Sequence, residues 1–421
     1  MLWVITVTAL VTVLAMVLSI NFAGPEKKIE RRVEHHHAVA DPQFRREMSV
    51  MLGPTIVGGN RVEVMNNGDE IFPPMLRAIA QAQRSITFET YIFESDSIGR
   101  RFADALIERA RVGVEVNVIV DWAGSIRLDD NLFGQMRDAG VRIHRYRPLH
   151  WYQWARLNNR THRKTLVVDG RIGFTGGVCI ADAWLGDAQD GEHWREMHFR
   201  FEGPVVAQLQ ASFNDNWIKI TGKPLVGDRY FPELPQAGGM DAQVIIGSPA
   251  NGSEHMHLMY LMAIAAAEKS IDIATPYFVP DSLTGQAMLA ARRRGVRIRV
   301  LGPGPYTDSK VTLIASKADW KPFLQAGVEF YDYQPSRFHN KLLIVDRELV
   351  SVGSPNFDER SLMLNDETSL NVYDHGFAET MTAVFEADLR RARPYTLAMW
   401  QQRPLREKLI ERFVLPIKSQ L

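Results

Sequence analysis

The sequence predicts an α/β protein made by tandem duplication of one module, each copy a mixed, mostly parallel sheet flanked by helices. The copies are expected to join about a pseudo-twofold axis, behind an N-terminal transmembrane helix. Three observations carry this. His339-Asn340-Lys341, four apolar residues Leu342 to Val345, Asp346 and then Gly353-Ser354-Pro355-Asn356 form a distinctive segment. The same spacing returns in His162-Arg163-Lys164, Thr165 to Val168, Asp169 and Gly176-Gly177-Val178-Cys179. Strand, helix, strand patterning surrounds each copy, and Leu2 to Ala23 carries no charge.

A helix over 1–24 would just cross a hydrocarbon core of about 30 Å. Met1-Leu2-Trp3 lacks the basic start of a signal peptide, and Asn21-Phe22-Ala23 is a poor cleavage site, so an uncleaved anchor is expected. Lys27, Lys28, Arg31 and Arg32 then open a charged linker over 25–49 and place the rest on the cytoplasmic side of the cell membrane. His35-His36-His37 reads as solvated linker, with no cysteine nearby to suggest a metal tract.

The first module is expected over 50–221. Asp69 to Arg84 has helical spacing, Ser85 opens a strand through Phe93, Ile98 to Val112 is a helix, and Val114 to Val120 a second strand. Such short connections point to a largely parallel, helix-covered sheet. A Pro- and Gly-rich join over 222–241 leads into the second module, 242–395. There Ser270–Ala274, Ala287–Arg294 and Gly295–Val300 repeat strand, helix and strand. Ala139-Gly140-Val141 and Tyr146-Arg147-Pro148 are echoed by Ala326-Gly327-Val328 and Tyr333-Gln334-Pro335. Apolar residues spaced by four, Val205 to Trp217 and Phe377 to Leu389, are core stripes.

The halves differ between the proline and the histidine. The first carries an insertion with Trp151, Tyr152, Trp154, Arg156 and Arg160, a mixture suited to a membrane interface or lipid headgroup, or to a loop packed on the sheet edge. The segment 396–421 alternates Trp400, Arg403, Arg406, Lys408 and Arg412 with apolar residues. It reads as a membrane-facing amphipathic helix or as a terminal helix docked on the core.

The chain has 421 residues, 46% apolar and 23% charged, with Lys plus Arg equal to Asp plus Glu at 49 each. Balanced charge argues against nucleic acid as partner. The single cysteine, Cys179, excludes an intrachain disulfide. Nothing in the sequence sets the oligomeric state.

Residues two apart on a strand share a face, so each histidine stands with its lysine, His162 with Lys164 and His339 with Lys341. A phosphodiester needs an in-line nucleophile, an acid for the departing alkoxide and fixed positive charge. One histidine can attack phosphorus while the other protonates the leaving oxygen and later deprotonates an acceptor. Lys164, Lys341, Ser354 and Asn356 would hold phosphoryl oxygens, and the turns at Gly176 and Gly177 allow close backbone approach. His-x-Lys is not a metal-ligand spacing, so neither a metal nor another cofactor is expected.

These paired motifs resemble the phospholipase D superfamily, and the modules are accordingly expected to be phospholipase D-like. Glu89-Thr90-Tyr91-Ile92-Phe93, Trp194-Arg195-Glu196, Thr275-Pro276-Tyr277-Phe278 and Asn356-Phe357-Asp358-Glu359-Arg360-Ser361 are similar to bacterial cardiolipin synthases. The resemblance implies transfer of a phosphatidyl group from one phosphatidylglycerol to another at the lipid bilayer, with release of glycerol through a phosphohistidine. It also implies that Glu196 and Glu367 orient the histidines, without saying which serves which, and that His162 attacks while His339 is acid and base. Asp169 and Asp346, part of the same motif, suit structural partners at strand ends better than proton carriers.

The first half departs from the pattern at Cys179 and Gly177, where the second has Asn356 and Ser354. A thiol is a poor donor, so equal use of the two halves is in doubt. Cys179 itself reads as a small buried residue rather than a nucleophile. Water in place of the alcohol would make a hydrolase. A nuclease fits poorly with the anchor and the charge balance, and a degenerate lipid-binding scaffold fits poorly with two intact His-Lys pairs.

Overall fold

The computed structural model describes residues 1–22, 29–149, 159–248 and 254–414. In chain order the first part holds α1 (Leu2–Phe22), α2 (Pro42–Met51), β1 (Val57–Asn66), α3 (Asn67–Gln81), β2 (Ser85–Thr90), α4 (Ser97–Arg111), β3 (Glu115–Asp121), α5 (Asp130–Asp138) and β4 (Arg142–Tyr146). Then come β5 (Thr165–Val168), β6 (Ile172–Gly176), β7 (Trp194–Arg195), β8 (Met197–Glu202) and α6 (Val206–Thr221). The second part opens with β9 (Met240–Gly247), α7 (His255–Ala266), β10 (Ser270–Ala274), β11 (Phe278–Val279), α8 (Ser282–Arg293), β12 (Arg297–Pro303), α9 (Lys310–Ala318) and α10 (Trp320–Gln325). It continues with β13 (Glu329–Tyr333), β14 (Arg337–Phe338), β15 (Leu342–Val345), β16 (Leu349–Gly353), β17 (Phe357–Asp358), α11 (Glu359–Met363), β18 (Glu367–Tyr373) and α12 (His375–Leu389). The chain closes on β19 (Ala392–Tyr395), α13 (Leu397–Gln401) and α14 (Leu405–Val414).

Local chemistry sets these limits. Asp96 caps α4 by accepting the Gly99 amide at 3.0 Å, and Ile98, Phe102, Leu106 and Ile107 bury one face of that helix. Asp374 does the same for α12 through the Phe377 amide at 2.7 Å, above the buried Met381 and Phe385. All four residues of β5 and of β15 are buried, as expected of strands covered on both faces.

One 15-stranded sheet runs through the whole molecule. Outward from β1 the order is β8, β6, β5, β2, β3, β4; outward from β9 it is β18, β16, β15, β10, β12, β13, with β19 at that edge. β1 and β9 pair with each other, antiparallel, at the centre. The sheet is mixed but not mostly parallel as expected. Only β2–β3, β3–β4, β10–β12 and β12–β13 pair in parallel within it; the other neighbours are antiparallel. Helical crossovers give the parallel outer strands. Inward of them the connections Asp169-Gly170-Arg171 and Asp346-Arg347-Glu348 are too short for a crossover, which takes a dozen or more residues, and force hairpins.

Those hairpins decide what Asp169 and Asp346 do. Each adopts a left-handed backbone, φ 53° and 54°. The Asp169 carboxylate accepts the amides of Gln83, Arg84 and Ser85 at 3.0, 2.7 and 2.9 Å. Asp346 accepts those of Glu268, Lys269 and Ser270 at 2.8, 2.7 and 2.8 Å. Both sit beyond the far end of β5 and β15 from the histidines, seven residues along, at most about 23 Å of extended chain at ~3.3 Å per residue. They belong to the turns and not to a reactive centre, which removes them from the catalytic set.

At the N-terminus α1 is a charge-free helix of 21 residues. Side chains are described there only over 3–16, and among the described residues no helix is long and apolar enough to cross a membrane. The linker is not free in solvent as expected. The Ile29 amide donates to Glu254 at 2.6 Å, His35 Nδ1 meets the Ala265 carbonyl at 2.7 Å, and His37 faces Asp41 and Glu47 at 3.2 and 3.5 Å. Of the aromatic insertion, Trp151, Tyr152, Trp154 and Arg156 lie outside the described residues. The tail docks: Trp400 Nε1 donates to the Lys317 carbonyl at 2.7 Å, and buried Arg403 pairs with Glu411. The side chains of Leu409, Ile410, Arg412 and Phe413 fall outside the description.

Removing one turn carboxylate strands three amides. Asp346→Ala is expected to lower the unfolding free energy by about 1–3 kcal/mol in a denaturant titration. A loss below about 0.5 kcal/mol, smaller than a typical hydrogen bond, would show that the turn is held by other means.

Candidate active site

The two halves exchange their glutamates. The main chain entering β5 runs beside the start of β18, where the His162 amide donates to the Asp366 carbonyl at 2.9 Å. The main chain entering β15 runs beside β7, where β14 and β7 pair in parallel and the His339 amide donates to the Arg195 carbonyl at 2.9 Å. Each histidine therefore lies next to the residue that precedes the other half's glutamate. His162 Nδ1 meets Glu367 Oε1 and Oε2 at 2.9 and 3.1 Å, and His339 Nδ1 meets Glu196 Oε2. Sequence alone left that pairing open, because the exchange depends on how the halves abut.

The motif glycines make room for this. A side chain on Gly177 would run into the Glu196 carboxylate, and one on Gly176 would come within 2.7 Å of the His198 backbone on β8. In the second half Ser354 is tolerated because its hydroxyl donates to Glu367. Ser354 is fully buried and already engaged, and neither it nor Gly176 or Gly177 lines the cavity described below. In place of the expected phosphate contacts, Gly177 and Ser354 adjoin the glutamates and Gly176 leaves room for His198 on β8.

A cavity of about 230 Å³ opens between the halves, with His162 and His339 in its lining. The Tyr91 ring meets His162 edge-on at 5.2 Å. Trp194 lies 5.0 Å from the His339 ring and Trp184 5.9 Å, the two indoles stacking on each other at 5.4 Å. Asn356 is in the lining, as is the buried thiol of Cys179, which burial pushes up and so keeps protonated. Of the two readings of the insertion, a headgroup surface or a packed loop, Arg160 fits the second: it is 3% exposed and clamped on buried Asp121 at 2.8–3.0 Å, at the cavity's edge. Trp184, Tyr91, Ser361 and Asn365 were missed as site residues; each is visible only as a fixed offset from a motif, which acquires meaning once the chain is folded.

Lys164 and Lys341 turn back on the main chain just before β5 and β15: Nζ of Lys164 donates to the His162 carbonyl at 2.7 Å, and Nζ of Lys341 to that of His339. Lys341 also stands 3.8 Å from Glu196. Burial lowers both ammonium groups, Lys341 to about 8. Burial likewise pushes His162 down to about 4, against the pull of Glu367, and His339 well below its usual value, helped by the two lysines. Each imidazole is thus neutral near pH 7. A neutral ring that donates Nδ1–H to a carboxylate keeps its lone pair on Nε2, the atom a nucleophile or base needs.

Nitrogen-15 spectra of the protein are expected to show both site histidines as neutral Nδ1–H tautomers from pH 6 to 8; protonation at pH 6 would overturn the burial argument. The unfolded chain takes up these protons first, so the histidine contribution to stability falls as pH drops from about 6.5 towards 4.

A family model described as cardiolipin synthase, PLD-like domain, matches residues 75–217 and 260–389. The cardiolipin synthase of Geobacillus sp. is 36% identical over 351 residues, covering 83% of this chain and 70% of the relative. Cardiolipin synthase A of Pseudomonas fluorescens is 34% identical over 340 residues, covering 80% and 70%. Among solved structures, phosphatidylserine synthase of Haemophilus influenzae superposes with a TM-score of 0.66 at 12% identity, over 90% of this chain and 98% of that one. Polyphosphate kinase of Porphyromonas gingivalis does so at 0.56 and 14%, over 94% and 57%, a likeness of fold alone. With a family model matched over most of the chain and relatives above 30% identity, this chain belongs to the cardiolipin synthase family of phospholipase D-like proteins.

Proposed function

We propose that the protein is a phosphatidyltransferase that joins two phosphatidylglycerol molecules into cardiolipin and releases glycerol. The observation that carries this reading is the pair of buried histidines, each hydrogen-bonded at Nδ1 by the other half's glutamate, on one cavity. In the first step His162 Nε2 attacks phosphorus, and the departing glycerol oxygen takes a proton from His339. In the second, His339 takes a proton from a hydroxyl of the next phosphatidylglycerol, the new oxygen–phosphorus bond forms, and the bond to His162 breaks. An arriving phosphodiester anion offsets the burial that holds His339 neutral, so the site acquires its acid as substrate binds.

Attack is given to His162 on the family resemblance, with support from its partner. The His162–Glu367 pair keeps its charge on the carboxylate, where it opposes the positive charge of a phosphorylated ring, whereas burial raises Glu196. Lys164 and Lys341 supply buried positive charge below the rings, and Asn356 a polar contact in the lining. Neither metal nor cofactor takes part in this scheme, and nucleic acid is not a partner.

The layout is read as two repeats of one module about an axis between β1 and β9, a reading supported by the matching strand orders and by the two stretches of the family match. The apolar α1 is read as the membrane anchor, with the catalytic part on the cytoplasmic side. Its side chains Trp3, Val4, Leu10 and Met16 are more than half exposed, a surface that water does not favour and lipid would cover.

Detergent-solubilised protein given phosphatidylglycerol alone, with a chelator present, is expected to yield cardiolipin and glycerol by mass spectrometry. Phosphatidic acid as the sole product would make it a hydrolase, and no product would remove the enzymatic reading. His162→Ala and His339→Ala should each cut turnover by about 10³-fold or more while the protein stays folded. Near wild-type turnover in either variant would sink the two-histidine scheme.

A further inference from the structure

The cavity has two unlike walls, and the difference follows the repeat. Ser361 stands as many residues beyond His339 as Trp184 stands beyond His162, and Asn356 is related to Cys179 in the same way. Asn365 and Trp194 each lie two residues before their glutamates. All six line the cavity. Where the first half supplies a thiol and two stacked indoles, the second supplies two amides and a hydroxyl.

The polar wall is unsatisfied. Among the described residues, Asn356 Oδ1, Ser361 Oγ and Asn365 Oδ1 are buried without a hydrogen-bond partner, in residues 8%, 1% and 6% exposed. The Asn356 amide donates to the buried Asp358 carboxylate, which fixes its carbonyl as the end left over. Stranding a buried acceptor is costly; the two amide oxygens can only accept, and the Ser361 hydroxyl can accept as well as donate, so the three from one short segment on one cavity call for a ligand that brings hydrogen-bond donors. A phosphate diester and an acyl ester bring only acceptors. A polyol brings hydroxyl groups. The facing residues Trp184 and Trp194 offer stacked indole faces and, at Trp184 Nε1, a donor without a partner among the described residues, but no side-chain acceptor for a hydroxyl proton.

We propose that Asn356, Ser361 and Asn365 form a subsite for the glycerol hydroxyls of the headgroup, and that the aromatic wall denies them an equivalent place, so a pseudo-symmetric cavity accepts its polyol in one orientation. This rests on the phosphatidyl-transfer reading above and names the feature of the acceptor that the site selects. A hydroxyl held there gives its proton to the site base as its oxygen bonds phosphorus and the phosphohistidine bond breaks.

The test is competition between alcohols. The full-length protein in detergent receives phosphatidylglycerol as donor with equal amounts of deuterated glycerol and 1-propanol. Mass spectrometry then gives the ratio of deuterated phosphatidylglycerol to phosphatidylpropanol, a quantity independent of how much of a variant folds. Wild type is expected to favour glycerol. Ser361→Ala and Asn365→Leu should each lower the ratio about tenfold, and Asn365→Asp, which keeps an acceptor, should hold it within about twofold. A wild type that uses both alcohols without preference, or variants that leave the ratio unchanged, would overturn the subsite alone. A wild type that forms neither product would overturn phosphatidyl transfer, and the subsite with it.

Discussion

Everything in this molecule hangs on the exchange of glutamates between halves. Neither half contains a complete His–Glu pair: His162 depends on Glu367 and His339 on Glu196. The exchange is made by main chain before it is made by side chains, through the amides of both histidines bonding to the carbonyls just before the opposite glutamates. A continuous sheet through the β1–β9 pair fixes the two halves at the distance this requires. A buried carboxylate without its imidazole would be left unpaired, so the contact that builds the site also penalises separation of the halves.

Burial sets the chemistry as much as the residue types do. The histidines, both lysines and both glutamates are almost wholly enclosed, and desolvation pushes every one of them towards its neutral form. Hydrogen bonds and opposing charge counter this where they meet, most plainly at Glu367, whose pKa is lowered by the hydrogen bonds of His162 and Ser354 and the charge of Lys164. The result is a set of groups held close to proton transfer, with little water to reorganise when a phosphodiester enters.

The repeat does not make the site symmetric. Ser354 supports its glutamate with a hydroxyl, whereas Gly177 supports Glu196 by leaving space. One wall carries amides and a hydroxyl, the other indoles. The two histidines stand in matching positions of the repeated motif, and the residues around them differ from one to the other.

The sequence by itself determined the repeated motif, the buried strands that follow each His-Lys pair, the helical cores and the chemistry class. These rest on local periodicity and fixed spacing, which survive without knowledge of the fold. It misjudged the sheet, because short strand–helix–strand units were visible at the edges while the central hairpins depend on three-residue turns whose partners are distant in sequence. Asp169 and Asp346 share the histidines' motif but, as their reading as strand-end partners implied, stand apart from them, because a motif records linear proximity whereas a strand carries its two ends apart. Which glutamate serves which histidine, that Ser354 faces Glu367 and that Arg160 is spent on Asp121 were decided only by tertiary structure. Each is a contact between residues remote in sequence, and no spacing rule encodes how two halves of a chain meet.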